Sequence, residues 1–508
     1  MASKQKSKRE LPVQLRKSLN PSLYQINTRV STYDLGQTLG RPATLDDVPD
    51  AYLDRLAEQG FEWIWFLGVW QTGTASREVS RKLPNLQQEF REVLPDYTTD
   101  DVCGSCFAIT AYDVHQDFGG NDALNRLRAR LHNRGLKLLL DFVPNHTALD
   151  HPWIQQHPEF YVQSDEAHLQ QQPQNYIRMD VGGKPTVFAY GRDPYFDGWS
   201  DTLQLNYANP ALQDAMLQEL KKVSDLCDGV RCDMAMLILP DVFERTWGRR
   251  PESFWPKAIA AVRSAKPEFL FMAEVYWDLE WTLQQQGFDY TYDKRLYDRL
   301  RDGLARPVRE HFLADMDFQR KSARFLENHD EPRAAATFPF EKHRAAAILT
   351  FLCPGLRFFH DGQFEGRTKR VPVHLRRRPV EQPNPALQDF YDQLLPCLTE
   401  PCTRDGAWQL LNCVPAWENN WTSDCFVCFA WHSETERILA AVNYASNQSQ
   451  CYVQIPFPDL AGKAILLRDL MGAETYEREG SELCSRGLYL DLPPWGYNVF
   501  RLTTSAPW

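Results

Sequence analysis

The sequence predicts an α/β fold in which parallel strands are joined by crossover helices, with a smaller β-rich domain behind it. Short apolar segments alternate with longer amphipathic ones through most of the chain, and after about Asp405 the pattern changes to closely spaced strand-like segments. Length agrees, since 508 residues exceed what one hydrophobic core usually serves.

In chain order, Glu62–Leu67, Leu136–Val143, Gly229–Asp233, Phe269–Val275, Ala323–Leu326 and Leu356–Phe359 read as buried strands. A helix is expected over Asp122–Arg134, with Leu124, Leu127 and Leu131 on one stripe and Gly135 as a stop. Another begins with Asn209 as cap and Pro210 at its first position, and carries Leu212, Met216, Leu220 and Val223 on one face. This alternation fits an open doubly wound sheet as well as a closed barrel. From His146 to Asn206 the rhythm breaks into a stretch rich in Gln, Asp, Pro, Tyr and Gly, which reads as an insertion above a strand end. Cys425–Trp431, Ile438–Asn443 and Gly496–Leu502 read as antiparallel strands of the C-terminal domain.

The first twenty residues read as a mobile arm; Lys4, Lys6, Lys8 and Arg9 are followed by no apolar run of signal-peptide length, so a cytoplasmic protein is expected. The longest apolar stretch, Ala345–Leu352, is too short to span a bilayer. A net charge of −11 disfavours nucleic acid or an anionic membrane surface as partner. Fifteen Trp, 20 Tyr and 28 Phe supply flat apolar faces, most of them for the core and some able to pack against a sugar ring. Of the 12 cysteines, Cys103/Cys106 and Cys425/Cys428 have Cys-x-x-Cys spacing. Positions three apart on a strand face opposite ways, and the segment after Cys106 looks extended rather than helical, so free thiols are expected.

Three strands run into acids: Asp233, Glu274 and Asp330. In a parallel barrel the C-terminal strand ends meet on one face, where catalytic groups collect. A lone acid there is more often half of an ordinary ion pair; three, with Arg231 and His329 beside them, argue for chemistry. Alternation puts Arg231 and Asp233 on one face, toward the axis if Val230 and Cys232 face helices. Cleaving a glycosidic bond with retention needs a carboxylate nucleophile and a carboxylic acid about 5 Å apart. Arg231 would keep Asp233 ionised, and a wall of Tyr276 and Trp277 would raise the pKa of Glu274.

Asp141-Phe-Val-Pro-Asn-His146, Gly229-Val-Arg-Cys-Asp233, Ala273-Glu-Val275 and Phe325-Leu-Glu-Asn-His-Asp330 resemble, in order, the four short signatures of the α-amylase family of glycoside hydrolases and transglycosidases. Tyr112-Asp-Val114, Leu205–Pro210 and Gly362-Gln-Phe-Glu-Gly366 extend the resemblance over most of residues 20–508. It implies a (β/α)8 TIM barrel (21–146 and 207–404), an inserted subdomain after the third strand (147–206), a C-terminal antiparallel β-sandwich (405–508) and the arm at 1–20. It also implies that Asp233 is the nucleophile, Glu274 the acid and then base, and Asp330 the carboxylate that grips sugar hydroxyls. Asp141, His146, Arg231, His329, Phe107, Tyr112 and Trp277 follow as substrate-binding or supporting residues, and Asn145 as a calcium candidate, with no other cofactor implied.

The pattern departs from that of many starch-cleaving members. Met236-Leu237 stands where these carry Lys-His, Gly104 where relatives acting on short glucosides place an Asp, and Phe107 where a Tyr is usual. The expected activity is retaining hydrolysis of maltooligosaccharides or related α-glucans. Transglycosylation or α-glucosidase action on short α-glucosides is the alternative, and an inactive glucan-binding protein a remote one. The expected partner is an α-linked oligosaccharide or glucan, without nucleic acid or membrane and with oligomeric state left open. An open-sheet nucleotide enzyme is disfavoured, since no glycine-rich phosphate loop opens the first helix.

Overall fold

A computed structural model of the chain describes residues 18–504. Eight parallel strands close into a barrel: β1 (Ser22–Asn27), β2 (Trp63–Leu67), β3 (Lys137–Phe142), β4 (Gly229–Cys232), β5 (Leu270–Ala273), β6 (Tyr290–Tyr292), β7 (Ser322–Arg324) and β8 (Leu356–His360). Each pairs with the next, and β8 returns to β1 with Arg357 opposite Ser22, which decides between a closed barrel and an open sheet. Six of these strands carry the apolar runs expected. β1 and β6 do not: β1 contains Gln25 and Asn27, and β6 is three residues long between two helices, too short to show a period.

The helix expected at Asp122 runs over Gly120–His132, beginning earlier because Gly119 and Gly120 take left-handed backbone that turns the chain into it. The helix Pro210–Leu226 is capped by Asn209, whose side chain accepts from the Ala211 N–H at 3.0 Å, and it buries Leu212, Met216, Leu220 and Val223. Among the described residues no helix is long and apolar enough to cross a membrane.

The stretch read as irregular is in fact a sheet. Strands His146–Ala148, Gln163–Ser164, Tyr176–Val181, Lys184–Gly191 and Trp199–Gln204 pair antiparallel above the β3 end of the barrel. Its hairpin turns at Gly182-Gly183, both with positive φ, which is the backbone a two-residue turn demands. Residues 1–17 of the expected arm lie outside the described residues. By Ser18 the chain is already buried, and the Asn20 side chain ties Gly355 N–H to Arg404 O.

The C-terminal part stacks a six-stranded sheet on a three-stranded one. Its strand Phe426–His432 is buried on both faces. Val427, Phe429 and Trp431 join the barrel core, while Phe426, Cys428 and Ala430 pack toward the second sheet. Cys425 belongs to a 3₁₀ turn rather than to this strand. All 12 cysteines are free thiols. Trp431 is 1% exposed and donates its indole N–H to Leu352 O at 2.6 Å, pinning the sheet to the barrel's helical wall. Trp431→Ala opens a cavity there and orphans that carbonyl, and is expected to lower unfolding free energy by about 3–5 kcal/mol in urea titration. A change within ~0.5 kcal/mol contradicts the assigned role of this contact.

Candidate active site

The C-terminal ends of the barrel strands bring charged side chains into a small volume. On β4, Arg231 lies opposite Asp141 on β3 and Met272 on β5, and it is wholly buried at the barrel axis. Its Nη1 donates to Asp233 Oδ1 at 2.7 Å and its Nη2 to Glu274 Oε2 at 2.5 Å, with Asp141 Oδ1 3.5 Å from Nη1. The rings of Trp65 and Phe107 lie 5.5 and 5.0 Å from the guanidinium carbon. An ammonium could not serve both acids in this way, because only a planar fork offers two diverging donors at fixed spacing.

The backbone after β4 turns left-handed at Met234 (φ 41°), an unusual state for a residue with a side chain. That turn aims the Met234 N–H at Glu274 Oε2, 2.8 Å away, and the Ala235 N–H at Glu274 O, 3.0 Å away. Glu274 Oε2 therefore accepts two N–H bonds, whereas Oε1 meets only the Tyr276 hydroxyl at 2.8 Å. A proton on Glu274 belongs on Oε1. The turn continues into the 3₁₀ segment Ala235–Ile238, whose Met236 and Leu237 side chains are core. They offer no surface to a ligand.

Burial pushes Glu274 above the ordinary carboxylate range; Arg231 opposes this, and Asp233 and Asp330 add to it. Asp233 is raised likewise, chiefly by burial, against Arg231. Burial also raises Asp141, whose Oδ2 accepts from the Gly68 N–H at 2.8 Å. Asp330 is different: desolvation raises it, but His329, whose Nε2 lies 3.0 Å away, together with Arg231 and Arg370 brings it down to about 2. The Gln25 amide nitrogen lies 2.8 Å from His329 Nδ1 and holds the ring in place beside Asp330. The site thus contains an ionised acid, an acid biased toward protonation, and a third pinned to a guanidinium.

Asp141, Arg231, Asp233, Glu274, His329, Asp330 and Phe107 come together. His146 is buried beside the Trp199 ring of the insertion, with its pKa pushed down to about 3 by burial, so it is neutral. Trp277 stands on the rim, half-buried, with its ring 5.0 Å from that of Tyr195. Tyr112 falls outside the group. Its hydroxyl bonds Val143 N and O at 2.9 and 3.0 Å, its ring stacks on Phe142, and it lines a separate cavity with Trp153 and Glu219. It packs there, whereas the resemblance of Tyr112-Asp-Val114 implied a substrate-binding residue. Gly104 (φ 81°) has no room for a side chain, since a Cβ would stand 2.8 Å from Arg77 Cα, so an Asp there would require the backbone to move. Asn145 Oδ1 accepts from Gln204 Nε2 at 2.9 Å. An N–H donor where a cation would coordinate does not fit calcium, and the described residues contain no cluster of three or more acidic, His or Cys side chains placed for a metal.

Sequence reasoning missed Gln25, the hydroxyl contact of Tyr276 and the exposed pair Tyr195 and Phe196, 57% and 70% accessible. Gln25 is a wholly buried polar side chain on β1, whose Gln25 and Asn27 keep it from reading as a buried strand.

Residues 104–393 match the family model described as "Alpha amylase, catalytic domain". Alpha-amylase 3 of Dictyoglomus thermophilum is 25% identical over 297 residues, covering 53% of this chain and 55% of that protein. Alpha-amylase MalA of Haloarcula japonica is 24% identical over 344 residues, covering 66% and 47%. The chain spans about half the length of these relatives. Its fold resembles the maltogenic alpha-amylase AmyB from Thermotoga neapolitana, with a TM-score of 0.67 at 18% identity over 96% of this chain and 99% of that one.

Removing the guanidinium gives a test by stability. In Arg231→Met, Asp233 and Glu274 lose their cation, so their folded-state pKa values rise further above the unfolded ones. Such groups favour folding below the unfolded pKa and lose that contribution as pH rises through the folded pKa. The melting temperature of Arg231→Met relative to wild type is therefore expected to fall more at pH 8 than at pH 5. An equal drop at both pH values contradicts this electrostatic role.

Proposed function

The chain belongs to the α-amylase family of glycoside hydrolases, and from that premise we propose that it cleaves α-glucosidic bonds in maltooligosaccharides or related α-glucans with retention, through a covalent glycosyl-enzyme. The observation that carries this reading is the Arg231 bridge, which holds one oxygen of Asp233 and one of Glu274 on a single guanidinium. Retention requires two carboxyl groups closer together than inversion does, because no water has to fit between them.

In this reading Asp233 attacks the anomeric carbon while Glu274 gives its Oε1 proton to the departing glycosidic oxygen. Water then loses a proton to the Glu274 carboxylate as it displaces Asp233, restoring both groups. Asp330, held ionised by His329, accepts hydrogen bonds from sugar hydroxyls and stabilises the positive charge of the oxocarbenium-like transition state. Phe107 supplies a flat face beside the ring, and Asp141 supports the cluster from β3. His146, buried beside the Trp199 ring of the insertion, is assigned a hydrogen bond to the same sugar. The exposed rings of Tyr195 and Phe196 with Trp277 favour a second reading for the later step, in which a stacked sugar acceptor replaces water and the product is a longer oligosaccharide.

Asp233→Asn and Glu274→Gln are each expected to lower turnover of maltotetraose by at least about a thousandfold while the circular dichroism spectrum is kept. Near-wild-type turnover in either variant sinks the assignment. In the same assay, products shorter than maltotetraose indicate hydrolysis and longer ones indicate transfer. The alkaline limb of the kcat/KM profile is expected above the ordinary carboxylate range, since the limb reports deprotonation of Glu274, whose pKa burial raises.

A further inference from the structure

Beside the carboxylates, between the ends of β1, β7 and β8, lies a small open-mouthed cleft. His329 forms part of its wall, so one imidazole separates it from Asp330. The remaining wall is rich in cations: Arg333 after β7, and Arg367, Lys369, Arg370 and Arg378 after β8.

Three of the five are already paired. Arg333 Nη1 lies 3.1 Å from Glu327, Arg370 bonds Glu89, and Arg378 meets Asp34 at 2.7 Å and Asp361 at 2.8 Å. Arg367 and Lys369 form no ion pair among the described residues, and the buried Nε atoms of Arg367 and Arg333 have no hydrogen-bond partner. The remaining acid of the wall, Glu381, accepts from the Thr368 N–H and hydroxyl, both at 2.7 Å, and so braces the loop. Arg367 and Arg333 also crowd each other: a Cβ built on Gly362 would lie 2.5 Å from Arg333 Nη2 and 2.8 Å from Arg367 Nε. Two guanidinium groups flanking one bare glycine repel unless something negative lies between or before them. His360, in the same wall, is driven well below its ordinary pKa by burial and then by Arg333, so it is neutral and adds no opposing charge.

We infer that this cavity is an anion subsite that takes a phosphate monoester carried by the sugar undergoing cleavage, making the preferred substrate a phosphorylated α-glucoside. The loops after the seventh and eighth strands are where such barrels frequently hold phosphate, and guanidinium groups bond phosphate oxygens strongly. A neutral hydroxyl accepts one or two hydrogen bonds and leaves both cations uncompensated, whereas a phosphate dianion satisfies both. The inference rests on the α-glycosidase reading, which it narrows.

The test compares wild type with the Arg367→Gln/Lys369→Gln double variant on maltose, on its 6- and 6′-phosphates, and on an α-linked glucuronyl-glucose. Separately, inorganic phosphate is titrated into Asp233→Asn, with and without the two substitutions, and followed by ³¹P line broadening. Wild type is expected to prefer a phosphorylated disaccharide over maltose by about tenfold or more in kcat/KM, and the ratio should fall toward one in the double variant. Phosphate should broaden with Asp233→Asn and not with the triple variant. Equal kcat/KM for maltose and both phosphates, or preference for the uronate, overturns the inference. If wild type cleaves neither maltotetraose nor any of the disaccharides while phosphate binding is still lost with Arg367 and Lys369, the glycosidase reading fails and the anion subsite stands.

Discussion

A single guanidinium at the barrel axis balances carboxylates from three neighbouring strands. Arg231 has no exposed surface, and burying a cation there is costly unless every donor direction finds an acceptor. Asp233 and Glu274 take two of its donors, Asp141 stands just beyond hydrogen-bond range, and aromatic faces of Trp65 and Phe107 shield it. The same interaction sets the acids apart. Arg231 limits how far burial raises Asp233 and Glu274, while His329, held by Gln25 from β1, two strands along the barrel, helps keep Asp330 an anion. Even the left-handed turn at Met234 belongs to this arrangement, since it adds the second N–H to Glu274 Oε2 and leaves Oε1 to carry a proton.

Much of this was legible because strand ends in a parallel barrel converge wherever they lie in the sequence. Asp233, Glu274 and Asp330 could be placed at one mouth from apolar runs alone, and the alternation within Gly229–Asp233 put Arg231 beside Asp233. What escaped notice has physical causes. β1 carries polar residues that face the barrel interior, so it does not read as a buried strand, and with it went Gln25. Polar, turn-rich composition hid the five-stranded insertion, because short strands exposed on one side carry little apolar signal. Tyr112 was misplaced because a matching segment does not say which way a ring points; here the hydroxyl closes on Val143. Tyr276 was expected to act as an apolar wall, and it instead offers Glu274 a hydroxyl.

The departures from the starch-cleaving pattern acquire different meanings in three dimensions. Met236 and Leu237 are core residues beneath a 3₁₀ turn, so what distinguishes the chain there is an absent contact rather than a new one. Gly104 is held by Arg77 backbone and by Arg29, which donates to its carbonyl at 2.5 Å. Specificity therefore has to come from elsewhere around the mouth. Two surfaces remain: the aromatic rim contributed by the insertion and the loop after Glu274, and the cationic wall contributed by the loops after β7 and β8. Both are loops on a rigid scaffold, where specificity can change without disturbing the chemistry beneath.

The central claim is that Asp233 forms a covalent bond to the sugar while Glu274 manages protons. It is tested most directly in Glu274→Gln supplied with α-glucosyl fluoride, whose leaving group needs no protonation and whose glycosyl-enzyme then lacks the base for hydrolysis. Peptide mass spectrometry after rapid acid quench is predicted to find one hexosyl group esterified to Asp233. An adduct on any other residue, or fluoride release without an adduct at any time point, would contradict the account.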